Sequence, residues 1–174
     1  MFPRLIQTER LRLRRPEPHE EALCARLAAD AYRARPEPPS DERARLFAAF
    51  QIEHWVRYGF GFMLADVVTD AGPPQTVGHT GLKYVDAWPG HWAETAGAIE
   101  LGFSLIPAAR GHGYVTEAAR AVLAEAFAAF DIPTIRARCN INNEKSAAVL
   151  LRCDMTELEA TDNFRQFELA RPRH

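Results

Sequence analysis

The chain has 174 residues, a length that suits a single domain, 1–174, with a sizeable core. Hydrophobic residues make up 47% of it and charged residues 25%, and the formal net charge is −2, so it reads as an ordinary globular protein without the basic excess of a nucleic-acid binder. Cys24, Cys139 and Cys153 form no CxxC pair, which argues against a zinc site or a disulfide framework and fits a reducing compartment.

The opening stretch, MFPRLIQTERLRLRR, is charged from the start and carries no apolar run, so it does not read as a signal peptide. No stretch approaches eighteen uninterrupted apolar residues, so no membrane span or membrane partner is expected, and the cytoplasm is the expected location.

Residues 9–15, ERLRLRR, alternate polar and apolar and predict a strand ended by Pro16, with the arginines on its wet face. Leu23 and Leu27 lie four apart in 18–33 and predict a helix. A proline-rich break, ARPEPPSD, follows. Ser40 or Asp41 can then cap a helix over 42–57 that carries Leu46, Phe47, Phe50 and Trp55. Two strands, 59–68 and 76–85, flank the turn DAGPPQ and predict a hairpin. The segment DAWPGHWAETAG reads as a loop, and its Trp88, His91 and Trp92 are placed either to line an acceptor pocket or to cover a sheet edge.

Residues 98–106, AIELGFSLI, predict a strand with Ile99, Leu101, Phe103 and Leu105 on one face and Glu100, Gly102 and Ser104 on the other. An acid beside two small residues looks like space left for a ligand. A helix over 113–130 has its apolar stripe at Val115, Ala119, Val122, Leu123, Phe127 and Phe130. A strand at 134–139 and a helix within 140–153 follow, the helix capped by Asn142 or Asn143. Two closing strands are expected near 155–160 and 164–171. About seven strands and four helices in mixed order imply an α/β layer protein.

Between strand and helix stands Ala109-Arg110-Gly111-His112-Gly113-Tyr114-Val115. Unpaired N–H groups at a helix start carry the positive end of the helix dipole, glycines let that backbone approach an anion, and Arg110 adds a fixed charge. The loop therefore suits a phosphate or pyrophosphate. It is neither a Walker motif nor G-x-G-x-x-G. A tight turn with a surface arginine is the plainer alternative.

RGHGYV resembles the R/Q-x-x-G-x-G/A signature of the GCN5-related N-acetyltransferases (GNAT superfamily), through Arg110, Gly113 and Val115. NINNEKSAAVLLRCDM resembles the N-x-x-S helix of that superfamily's ribosomal-protein alanine N-acetyltransferase branch (RimJ/RimL-like), through Asn143 and Ser146. TERLRLRRP, WVRYGFGFMLADV and VGHTGL resemble the branch's first three strands. The resemblance implies a single GNAT-like domain with a mixed, mostly antiparallel twisted sheet. It also implies acetyl-CoA as co-substrate, no metal, an amine acceptor and a permitted homodimer.

For that activity Glu100 is the candidate base, and the backbone N–H groups near Phe103, Ser104 and Leu105 are the candidate oxyanion donors and pantetheine partners. Arg110, Gly111, His112, Gly113, Tyr114 and Val115 are the candidate pyrophosphate loop. Asn143 is a candidate for holding the arm, and Ser146 for meeting the arm and protonating the leaving thiolate. Three positions depart from the pattern. Val115 stands where Gly or Ala is preferred, Arg152-Cys153-Asp154-Met155 where Lys-x-Gly-Phe is common, and Leu150 where many relatives carry a tyrosine acid. Asp154 can take the left-handed cap conformation that glycine usually supplies there, at some cost.

His79 reads as structural, and His19, His54 and His91 lack metal spacing. The alternatives are a non-catalytic acyl-CoA sensor of the same fold, and a phosphate-binding protein of another kind that would prefer ATP or NAD. The acceptor is left open between a protein N-terminus and a small amine.

Overall fold

The computed structural model describes residues 1–32, 40–69, 72–87 and 97–172. In chain order the elements are β1 (Leu5–Gln7), β2 (Leu11–Arg14), α1 (Glu21–Tyr32), α2 (Asp41–Tyr58), β3 (Phe62–Val67), β4 (Gln75–Tyr84), β5 (Ile99–Leu105), α3 (Tyr114–Ala129), β6 (Thr134–Asn140), α4 (Glu144–Arg152), β7 (Thr156–Glu157) and β8 (Phe164–Ala170). The Trp88, His91 and Trp92 loop lies outside the described residues.

Local chemistry sets the helix ends. The Ser40 hydroxyl accepts the Arg43 N–H at 3.2 Å at the start of α2, and Gly59 closes it with φ 74°. The Asn143 carboxamide oxygen accepts the Ser146 N–H at 3.1 Å at the start of α4. After α4 the chain turns at Asp154, whose φ of 61° is that left-handed conformation.

The sheet runs β1-β2-β3-β4-β5-β6-β8-β7. It has one strand more than expected, because Leu5–Gln7 folds back antiparallel on β2. The other pairings are antiparallel except β5 with β6, which the α3 crossover makes parallel. Leu64 packs with Cys24 and Leu27 of α1 and Ala48 of α2 on one face. Met63 and Ala65, which alternate with it, join Ala119, Val122 and Leu123 of α3 and Leu150 of α4 on the other. Leu46, expected among the apolar residues of α2, instead points outward at 57% exposure, since Ala44, Ala48, Ile52 and Trp55 form the buried stripe.

The arginines of β2 are not simply on a wet face. Arg12 and Arg14 each lie 2.9 Å from a carboxylate oxygen of the buried Asp66, and Thr76 donates to its other oxygen at 2.7 Å. Burial alone would raise the Asp66 pKa, but these donors hold it below the usual carboxylate range. The pairing comes from β3 and β4, far along the chain, which is why the strand's own alternation did not reveal it.

Candidate active site

β4 and β5 stay in register from Gly78 opposite Leu105 to Tyr84 opposite Ile99. β5 and β6 share one register pair, Glu100 with Arg136. Beyond it the two parallel strands part toward their C-terminal ends. Crevices of this kind, at the carboxyl ends of parallel strands, are where α/β sheets bind ligands.

The ladder fixes which backbone groups face that crevice. Ile106 N–H donates to Val77 O at 2.9 Å, and Val85 N–H to Ala98 O at 2.8 Å. Even-numbered residues of β5 therefore turn their N–H and C=O toward β4, and odd-numbered ones turn them toward β6. Phe103 and Leu105 thus present N–H groups to the gap, while Ser104 presents its backbone to β4.

A cleft of about 1140 Å³ opens there. From β5 it is lined by Phe103, Ser104 and Leu105, from the loop and α3 by Arg110, Gly111, Gly113, Tyr114 and Val115, and from α4 by Asn143, Ser146 and Val149. Gly113 is the N-cap of α3 with φ 80°, and Gly111 has φ 86°, conformations that ordinary residues avoid. The first intrahelical bond of α3 is Glu117 N–H to Gly113 O. The N–H groups of Tyr114, Val115 and Thr116 precede it, at the positive end of the helix and on the cleft wall. Arg110 is held against the strand by its Nε, which donates to Leu105 O at 3.1 Å.

The cleft wall also carries residues that the sequence did not single out. Arg10, Arg120, Lys145 and Arg152 join Arg110, and Glu9 and Glu117 are the acids, so five cations face two anions in a chain of net charge −2. Glu117 is held below the usual carboxylate range. Burial opposes this, but the Thr8 hydroxyl, the Arg10 N–H and the Arg10 guanidinium outweigh it. These residues come together from β1–β2, α3 and α4, so no local motif marks them.

Two expected site residues stand apart from the lining. His112 is exposed, with its ring 5.5 Å from that of Tyr114, and contributes its carbonyl to Arg10. Glu100 is buried on the α1–α2 face, with Oε2 2.5 Å from Lys83 Nζ and Oε1 3.7 Å from Arg138 Nε. The open space expected beside Gly102 is filled, since a Cβ there would come within 2.7 Å of the Phe62 ring.

Residues 10–156 match the family model described as an acetyltransferase (GNAT) domain. The chain belongs to the GNAT family. Solved structures agree on the fold. A GNAT-family acetyltransferase from Bordetella pertussis superposes with TM-score 0.78 at 18% identity, over 97% of this chain and 100% of that one. An acetyltransferase from Agrobacterium tumefaciens gives TM-score 0.76 at 23% identity, over 97% and 95%. RimL, a ribosomal-protein α-N-acetyltransferase solved with coenzyme A, gives 0.69 at 15% identity, over 95% and 97%. A search of curated sequences returns no significant match.

Arg110, Gly113 and Val115, the residues that match the GNAT signature, all line the cleft. Leu150, at the position where many GNAT relatives carry a tyrosine, is 1% exposed and packed in the core. Ser146 is the hydroxyl of α4 that lines the cleft. Among the described residues no helix is long and apolar enough to cross a membrane, and no group of three His, Cys, Asp or Glu residues is placed for a metal.

Proposed function

We propose that this protein is an acetyl-CoA-dependent N-acetyltransferase acting on a primary amine, either a protein N-terminus or a small molecule, as in the ribosomal-protein acetyltransferase branch. The observation that carries this reading is the cation-lined cleft at the N-terminus of α3, opening where β5 and β6 part. Backbone N–H groups of 113–116 and the Arg110 guanidinium suit a pyrophosphate, and the N–H groups of Phe103 and Leu105 suit the amide arm.

Bound acetyl-CoA supplies a thioester whose carbon–sulfur bond breaks as the amine nitrogen forms a bond to the acyl carbon. The amine must attack as a neutral base, so it gives a proton to Glu100, directly or along a water. The same β5 N–H groups meet the negative charge on the acyl oxygen. Ser146 hydrogen-bonds the departing sulfur and relays a proton to it from water, so that the hydroxyl is restored as the thiol forms. Asn143 fixes Ser146 by capping α4. The free, buried Cys24, Cys139 and Cys153 suit the reducing cytoplasm in which such an enzyme would act.

One observation favours a second reading, an acyl-CoA sensor without turnover: the Glu100 carboxylate is already taken by Lys83. Calorimetry with acetyl-CoA, CoA, ATP and NAD, on wild type and Arg110→Ala, tests the common ground. Binding of acetyl-CoA that Arg110→Ala weakens supports both readings, and a preference for ATP or NAD rejects both. Acetylation of amines by wild type, lost in a Glu100→Gln variant that still binds acetyl-CoA, selects the enzyme.

A further inference from the structure

The two glycines of the anion loop bring no side chains to hold it. A Cβ on Gly111 would meet nothing within 4 Å, and Gly113 has no side chain with which to cap α3. Its support comes from the other end of the chain. The Thr8 hydroxyl donates to Glu117 Oε1 at 2.6 Å, and the Arg10 backbone N–H donates to the same oxygen at 2.9 Å. Arg10 Nε and Nη2 reach Oε2 at 2.7 and 2.6 Å, a two-pronged pair. Arg10 Nη1 then donates to His112 O at 2.9 Å, inside the loop itself. The guanidinium also lies 5.0 Å from the centre of the Tyr114 ring. Thr8 is fixed in turn, because its hydroxyl oxygen accepts the Leu11 N–H at 3.0 Å.

We propose that the β1–β2 turn is a working part of the phosphate site: Thr8 and Arg10 are positioning residues that act through Glu117 and His112 to hold segment 111–116 in its anion-receiving shape. This rests on the reading of the cleft as an acetyl-CoA site. A carboxylate in the first turn favours the helix, yet it occupies the same positive end that a phosphate would use. Arg10 resolves that conflict by cancelling the charge and turning the acid into an anchor. The two parts are 107 residues apart in sequence, so only the tertiary fold brings the loop and its brace together.

Positioning and charge make opposite forecasts for one variant. Glu117→Gln keeps the shape and removes a negative charge from the cleft. If the carboxylate acted only as a charge, acetyl-CoA would bind more tightly to the variant. If it anchors the brace, acetyl-CoA binding weakens by about tenfold, the scale of a lost charge-assisted hydrogen bond. KM for acetyl-CoA rises in step, and kcat stays within about twofold, as for an interaction made equally before and during reaction. In the free protein, amides 112–116 exchange faster with deuterium. Thr8→Val, which changes no charge, follows the same direction with a smaller effect and serves if Glu117→Gln does not fold.

Unchanged or tighter binding in both variants, unchanged exchange, or a fall in kcat at constant KM overturns the proposal. Arg110→Ala in the same calorimeter separates the two levels. Weakened Arg110→Ala beside unaffected Glu117→Gln and Thr8→Val overturns the brace alone. A wild type that takes no acetyl-CoA overturns the site reading and the brace with it.

Discussion

Lys83 Nζ stands 2.5 Å from Glu100 Oε2, directly opposite it on the neighbouring strand, with both residues under a tenth exposed. Burial pulls the Lys83 pKa below the ordinary ammonium range, against the attraction of Glu100. Removing Glu100 strands the Lys83 ammonium, and removing Lys83 leaves the Glu100 carboxylate with Arg138 at 3.7 Å as its remaining cation. Lys83→Met and Glu100→Gln are each expected to cost about 3–5 kcal/mol of folding stability. The double variant should lose well under their sum. Urea unfolding of the three variants measures this, and additive losses would show that the two side chains do not act as a pair.

His54 gives the fold an acid limit. Its Nδ1 lies 2.8 Å from Phe60 O and its Nε2 accepts the Tyr84 N–H at 3.1 Å, which assigns the neutral ring with the proton on Nδ1. Burial lowers its pKa, and burial pushes His79 down to about 4. For both groups the unfolded chain binds the proton first. Their contribution to stability is therefore whole above about pH 6.5 and is lost as pH falls below it, for His79 toward about 4. The expected slope is up to about 1.4 kcal/mol per pH unit for each histidine. Unfolding free energies measured between pH 7.5 and 4.5 should show it, and His79→Leu should flatten it. A flat profile in the wild type would mean that neither ring is held neutral.

Gln51 is fully buried, and neither polar atom of its amide has a partner among the described residues; His79 Nδ1 is in the same position. Replacing an unsatisfied group with an apolar one of similar shape removes a desolvation cost of about 1–3 kcal/mol. Gln51→Met is thus expected to leave the melting temperature unchanged or to raise it. A clear drop would reveal a polar partner for that amide.

Asp154 holds a conformation that glycine adopts without strain. Asp154→Gly should raise stability by about 0.5–1 kcal/mol, or roughly 2–4 °C per kcal/mol in the melting temperature. A differential scanning calorimetry trace with no upward shift would place the strain elsewhere. The ion pair that the substitution removes, 4.0 Å from Arg120 and exposed on both sides, contributes little.

Periodicity made the helices and most strands legible, because a buried face repeats within the element itself. The stripe of α3 and the apolar face of β5 appear in the structure as read, while the open space read on the other face of β5 does not. The Asn143 cap and the left-handed Asp154 were legible for the same local reason. Where the sequence misled, the cause was distance along the chain. Nothing near Arg10 announces Glu117, and nothing near Glu100 announces Lys83. Leu46 kept its place in a plausible apolar pattern, yet the alanines beside it face the sheet and it does not. β1 was missed because three residues, one of them buried, are too few to show a period.

The single rung between β5 and β6 has a mechanical consequence. It leaves five strands on one side and three on the other, joined along the sheet by the Glu100–Arg136 rung and by the Arg138 guanidinium beside the Glu100 carboxylate. On the proposed reading, an extended guest carrying amide groups docks on Phe103 and Leu105 as a surrogate strand and stitches the two portions together. Beyond that rung the continuity of the sheet is then conditional on occupancy. The loaded protein should resist being pulled apart between its first and last strands at forces that shear the empty one.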